Sequence, residues 1–272
     1  MIGEKVGFIG AGNMGEALMR GIIKANLLSP QDVYASDTRE ARLKELQKNY
    51  GITTLRDNKD LVLKTRIIVL AVKPQNMEEV LKEIAPVIGK EHLVISIAAG
   101  ITTSYISKHF EQKVPIVRVM PNTPALIQEG ASALTAGKDV AKSNLESAQE
   151  IFDSVGKTVI VDESLMDAVT GLSGSGPAYF FLFIEVLTDA GIKMGLSRSV
   201  AQLLATQTCL GAAKMIFETG RKPADLRDMV TSKGGTTFSG LKAMEAGGLR
   251  AALVDGVEAA TRRSKELGAQ KR

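Results

Sequence analysis

Apolar residues recur along this chain in two rhythms, and the rhythm changes near Leu165. Before that point, short β-rich runs stand apart from one another: Val6 to Ile9, Val33 to Ala35, Ile67 to Val72, Leu93 to Ile97, Ile116 to Val119 and Val159 to Val161. Stretches with helical spacing separate them. Between the first two, Met14, Ala17, Leu18, Gly21, Ile22 and Ala25 recur every three or four residues, which gives one apolar helix face. Alternation of this kind predicts an α/β domain over residues 1–164, a Rossmann-like doubly wound, mainly parallel sheet with helices on both faces.

After Leu165 the β-branched runs disappear. Long helices are expected over Ala178 to Met194, Val200 to Glu218, Pro223 to Val230, Thr237 to Glu245 and Leu249 to Leu267. Phe180, Phe181, Phe183, Ile184 and Leu187 spread over more than one face of the first of these. About a hundred residues of helix make a thin core alone, so residues 165–272 are expected to form an all-helical domain that completes itself against another subunit. The two halves are expected to meet across a cleft.

Composition narrows the class. The chain has 272 residues, 44% hydrophobic and 24% charged, the balance of an ordinary globular protein. Its 34 Lys and Arg are scattered among 30 Asp and Glu, which argues against a nucleic-acid partner. Met1 to Lys5 carries no tripartite signal segment, and the longest uninterrupted apolar stretch, Ala178 to Ile184, is too short to cross a bilayer. Cys209 is the single cysteine, so an internal disulfide is excluded and a core-filling role is expected. These features point to a cytoplasmic protein with no membrane partner. The two histidines, His92 and His109, are expected to be exposed, and no cluster has metal-ligand spacing.

The first candidate site is Gly10-Ala11-Gly12-Asn13-Met14-Gly15, a G-x-G-x-x-G between a strand and a helix. Gly10 suits the tight turn, Gly12 lets backbone approach a pyrophosphate, and Gly15 lets the helix pack close to the strand. Asp37 follows at the end of the next strand run. It suits the ribose hydroxyls of NAD, whereas Arg39 and Ser36 suit the 2'-phosphate of NADP, and the two signals conflict. Ala71-Val72-Lys73-Pro74 and Ala98-Ala99 close later strands at the edge where such sheets bind ligands. Lys73 can equally be a solvated loop lysine.

Two further segments are small and polar. Ser173 to Gly176 holds nothing larger than serine, just before a helix that Pro177 can start. Ser175, Gly176 and Pro177 either face a nicotinamide or pack helices together. Thr231 to Thr237 places Ser232, Gly234, Gly235, Thr236 and Thr237 at a helix entrance, where backbone N–H groups can hold a carboxylate.

Taken together, these segments, with Met120-Pro121-Asn122-Thr123-Pro124 and Asp167 to Tyr179, resemble the pyrroline-5-carboxylate reductases. The resemblance runs over essentially the whole chain. It implies reduction of the C=N bond of 1-pyrroline-5-carboxylate to L-proline, the last step of proline biosynthesis, with NADP(H) or NAD(H) and no metal. Asn58 and Asn122 join the dinucleotide site. Ser232, Gly234, Gly235 and Thr236 receive the substrate carboxylate, and Thr237 faces the ring nitrogen as the catalytic residue. Lys233 stands where many members carry proline and is expected to face solvent. The resemblance also implies a homodimer through the C-terminal helices, five of which make a decamer in some members.

Two rivals follow from the residues. A β-hydroxyacid dehydrogenase shares this domain order but would need Lys193 or Lys214 beside its substrate, and a non-catalytic dinucleotide sensor would keep the fold without turnover.

Overall fold

The apolar runs assemble into one eight-stranded sheet. In the computed structural model, which describes residues 2–269, the chain divides into two units. One holds the chain up to Ser175 together with the stretch from Ala259, and the other is Gly176–Glu258.

The first unit begins with β1 (Val6–Ile9), α1 (Asn13–Lys24), β2 (Val33–Ser36), α2 (Glu40–Tyr50), β3 (Thr53–Leu55), α3 (Asn58–Lys64) and β4 (Ile67–Leu70). It continues through α4 (Met77–Ile84), β5 (Leu93–Ser96), α5 (Thr103–Ser107), β6 (Ile116–Met120), β7 (Gly130–Ala136), α6 (Lys142–Asp153) and β8 (Gly156–Ile160). The strand order is β3-β2-β1-β4-β5-β6-β7-β8, parallel throughout except where β7 runs against β6. Neither β3 nor β7 is expected from the apolar runs, because Thr-Thr-Leu and Gly-Ala-Ser-Ala-Leu-Thr-Ala carry few large β-branched residues.

Strand residues alternate between two faces. Phe8, Val69, Ile95 and Val117 meet Leu18, Ile22, Leu46 and Phe152 of α1, α2 and α6 on one side. Ile9, Ile68, Leu70 and Val94 meet Leu61, Met77, Leu81 and Ile106 of α3, α4 and α5 on the other. The first unit therefore has a dry layer above and below its sheet. His92 belongs to this interior and is not exposed as its polar surroundings suggest. It is 5% exposed, with Nδ1 accepting from the Gly89 N–H at 2.9 Å and Nε2 at 3.2 Å from the Val62 carbonyl. His109 is half-buried, its Nδ1 3.0 Å from the Tyr105 carbonyl.

Beyond the sheet, α7 (Met166–Val169) runs into a π turn over Thr170–Gly174. Five helices follow: α8 (Gly176–Lys193), α9 (Arg198–Thr219), α10 (Pro223–Met229), α11 (Thr236–Ala246) and α12 (Leu249–Ala269). Within the second unit α8 lies along α9, and Thr188, Ala201 and Ala205 are buried there. Most of its large apolar side chains are not buried, including Phe180, Phe181, Leu203 and Phe217. The reading of membrane-spanning potential needs correction, because α9 is long and apolar enough, by length and composition, to cross a bilayer. Gln202, Thr206, Gln207 and Thr208 interrupt its apolar residues, so no uninterrupted run reveals it.

Candidate active site

The turn after β1 is shaped by two crowded glycines and one open one. Gly10 has φ +96°, and a Cβ there would lie 2.8 Å from the Ala71 carbonyl oxygen. A Cβ on Gly15 would lie 2.7 Å from the Gly10 carbonyl oxygen, so both positions are closed by the fold itself. Gly12 differs, since a Cβ there meets nothing within 4 Å. Gly12 is also the N-cap of α1 and gives it no side-chain hydrogen bond. The first-turn amides of α1 and their positive end are left for an anionic ligand.

From this turn a cavity of about 650 Å³ opens, lined by Gly10, Gly12, Asn13, Asp37, Arg39, Asn58, Ala71, Val72 and Lys73. Lys73 is exposed at its rim. Ala11 and Gly15 are buried behind the turn, Met14 packs partly into the core, and Pro74 opens a short 3-10 turn. Ala98 (buried), Ala99 (exposed), Asn122 and Ser175 lie in the same unit but do not line this cavity, and Gly176 and Pro177 begin α8 in the other.

Asp37 is fully engaged. Its Oδ2 accepts from the Ala11 N–H at 2.9 Å and the Arg39 guanidinium at 3.1 Å, while Oδ1 accepts from the Arg39 N–H and Nε, both at 2.9 Å. Burial raises the Asp37 pKa, but the hydrogen bonds from Arg39 and Ala11 outweigh it and hold the carboxyl below its ordinary value. Ser36, suggested by sequence as a phosphate contact, is fully buried and donates to Asn58 Oδ1 at 2.7 Å. Asn58 in turn donates to Glu83 at 2.7 Å.

Sequence reasoning misses the brace behind the turn. Arg42 Nε donates to the Ala11 carbonyl at 2.9 Å, and its guanidinium pairs with Glu16, which also accepts from Tyr50 at 2.7 Å. Burial raises the Glu16 pKa, but Tyr50 and Arg42 bring it below its ordinary value. Only a three-dimensional fold joins residues this far apart in the chain.

The small-residue segment before α8 is also built differently from a flexible link. The Ser175 N–H donates to the Thr170 carbonyl at 2.8 Å, the i to i+5 bond of a π turn. Asn122 holds this turn: Nδ2 donates to the Ser173 carbonyl at 3.1 Å, and Oδ1 accepts from the Ala131 N–H at 2.8 Å.

In the second unit, Ser232 to Gly235 forms a turn closed by the Gly235 N–H on the Ser232 carbonyl at 3.0 Å, with Gly234 at φ +72°. The left-handed φ makes glycine the favoured residue at Gly234, whereas a Cβ on Gly235 would sit 2.4 Å from Ser232 Oγ and oblige that side chain to rotate. α11 begins at Thr236 with Gly235 as a cap that contributes no side chain. Ser232, Thr236 and Thr237 are exposed, and their hydroxyls have no hydrogen-bond partner among the described residues. Thr231 differs, because its hydroxyl donates to the Arg227 carbonyl. Lys233 is exposed. Hydroxyls and first-turn amides with no protein partner can receive an anion.

Comparison with known proteins agrees in both halves. Residues 163–267 match the family model for pyrroline-5-carboxylate reductase dimerisation, and residues 5–100 match that for coenzyme F420-dependent NADP oxidoreductases. A pyrroline-5-carboxylate reductase of Methanosarcina acetivorans is 49% identical, over 98% of this chain and 99% of its own. Among solved structures, one from Coxiella burnetii superposes with a TM-score of 0.93 at 38% identity, covering 97% of this chain and 98% of its own. A pyrroline carboxylate reductase of Plasmodium falciparum, solved with NADP bound, gives 0.87 at 35% identity, covering 98% and 99%.

Proposed function

The chain belongs to the pyrroline-5-carboxylate reductase family, and from that membership we propose how its own residues reduce the C=N bond of 1-pyrroline-5-carboxylate to L-proline. The observation that carries the reading is the asymmetry of the glycine turn. Gly10 and Gly15 are closed by protein, whereas Gly12 opens onto the cleft beside unsatisfied helix amides. Those amides fit a pyrophosphate. We assign residues 1–164 to dinucleotide binding and 165–272 to substrate binding and dimerisation.

When bound, the reduced nicotinamide cofactor supplies the hydride. Gly10 to Gly15 hold its phosphates, Ala71 to Pro74, Ala98 and Ala99 border it, and Ser175 to Pro177 offer a flat approach. Asp37 and Arg39 set the choice between NADPH and NADH. Asp37, kept ionised, repels a 2'-phosphate and can accept ribose hydroxyls only when Arg39 lets go. Arg39 is a surface partner whose release costs little, and its guanidinium then suits the phosphate.

Ser232, Gly234, Gly235 and Thr236 take the substrate carboxylate at the entrance of α11, and Thr237 orients the ring nitrogen. The cyclic imine takes its proton from solvent, so the loop needs no strong acid, and near-attack positioning carries most of the rate. The exposed apolar surface of α8 and α9 supports a homodimer, the unit from which a decamer of five dimers is built. A lone, half-buried Cys209 supports a cytoplasmic setting.

Nicotinamide oxidation followed with pyrroline-5-carboxylate, with a 3-hydroxy acid and with no substrate, using NADPH and NADH in parallel, tests this reading. Turnover is expected with the imine alone. Turnover only with the hydroxy acid, or with neither, would remove it.

A further inference from the structure

The sheet unit contains a second cavity, of about 700 Å³, that shares no lining residue with the dinucleotide cleft. Its floor is Arg118 of β6, a guanidinium on the same sheet face as Val94 and Ile116 and only 4% exposed. A cation withdrawn from water this far is costly unless countercharge and hydrogen bonds replace the lost hydration.

The protein replaces part of it. Among the described residues the Arg118 guanidinium has one hydrogen bond, to Glu163 at 3.4 Å, and no fully buried side-chain nitrogen lacks a partner, so its unbonded N–H groups keep contact with solvent. Charge-assisted bonds of this type run at about 2.7–2.9 Å, so the contact is weak. Glu163 is better occupied elsewhere, accepting from the Thr103 N–H at 2.8 Å and the Thr103 hydroxyl at 2.7 Å. The other carboxylate on the wall, Asp167, accepts from the Ser264 hydroxyl of α12 at 2.7 Å.

Two more cations, Lys108 after α5 and Lys265 of α12, line the same cavity and are exposed, and neither ammonium has an ion-pair or hydrogen-bond partner among the described residues. Donors therefore outnumber acceptors. Arg brings five N–H groups and each Lys three, none of which can accept a bond. The acidic groups present are partly filled by hydroxyl and backbone donors.

We infer that this cavity binds a small oxyanion, a carboxylate or a phosphate, with Arg118 at its floor and Lys108 and Lys265 at its mouth. The inference does not depend on the assignment of the dinucleotide cleft or of the substrate loop, since it uses none of their residues.

Calorimetric titration of the NADP⁺-saturated enzyme with inorganic phosphate, and separately with succinate, at ionic strength fixed with chloride, tests it. Saturating NADP⁺ removes the cofactor cleft from the measurement. A saturable isotherm with at least one of the two anions is expected, and the arm that responds identifies the source of the oxyanion. It should persist in Ser232→Ala, which alters the substrate loop, and weaken by about tenfold or more in Lys108→Gln/Lys265→Gln. Turnover of that double variant should match the parent. Arg118→Met should abolish the isotherm. If Arg118→Met does not fold, as judged by its melting curve, the surface lysine pair still decides the matter. Absence of saturable binding in both arms, or an isotherm unchanged by the two lysine substitutions, overturns the inference.

Discussion

The sheet unit and the helical unit solve the same burial problem in opposite ways. In the first, α1, α2 and α6 cover one face and α3, α4 and α5 the other, and side chains such as Phe8, Leu18, Leu81 and Phe152 are shut away from water. In the second, Phe181 is 66% and Phe217 78% exposed on helices that bury little beyond Thr188, Ala201 and Ala205. One unit carries its own core, and the other carries half of one. A patch of this kind is an association surface, and residues 163–267 match a dimerisation family.

The largest expected effect comes from charging that surface. Phe181→Asp with Phe217→Asp should give a monomer by sedimentation and lower turnover by more than about a hundredfold, because an unpaired carboxylate cannot be buried between subunits. The same variant should still bind NADPH with nearly the parent's Kd, since the sheet unit has its own core. A stable, active dimer would break the comparison, and loss of NADPH affinity would blur it.

Within the sheet unit, neighbouring glycines should behave differently. Gly12→Val should keep the parent's Tm and weaken NADPH binding by about a hundredfold, because its side chain would enter the open cleft. Gly10→Ala should instead lower stability by about 1–3 kcal/mol, read by denaturant titration, as the turn must shift away from the Ala71 carbonyl. Equal losses of stability in the two variants would show that the turn is not open at Gly12.

Thr237→Ala should lower kcat/KM by about ten- to a thousandfold without changing Tm, the loss expected for one polarising hydrogen bond. Unchanged kinetics in the purified variant would take Thr237 out of the mechanism. A smaller effect is expected at Asp37. Asp37→Ser should raise the NADPH to NADH ratio of kcat/KM by about tenfold. Because the folded pKa of Asp37 is depressed, its carboxylate remains ionised through neutral and mildly acidic pH. The stability Asp37 contributes should therefore fade only as pH falls below about 4, read by denaturant titration against Asp37→Ser. A stability difference between the two proteins that is already lost between about pH 8 and pH 5 would contradict the assignment.

How much of this is legible in the sequence depends on the range of the interaction. The Gly10 to Gly15 turn is visible because its requirements are local, and the helices of the second unit because their spacing persists for several turns. β7 escapes notice because its alternating residues are mostly alanine, serine and threonine, held in place by flanking strands rather than by their own hydrophobicity. The burial of His92, the Arg42 brace and the saturation of Asp37 depend on partners scattered along the chain. Asn122 is recognisable as part of a motif, but its tie to the π turn joins residues 51 apart. The hydroxyl-rich turn before α11 is readable as a group, whereas the difference between Thr231 and Thr237 emerges only with the backbone in place.

One end of the sheet carries a further consequence. β8 is an outermost strand, and its Val159 and Ile160 remain more than half exposed. A border of unused N–H and C=O groups with greasy side chains is a template for a foreign strand. Lys157, exposed, is the one charge within the strand, so a single ammonium is what this border sets against such pairing from its own length.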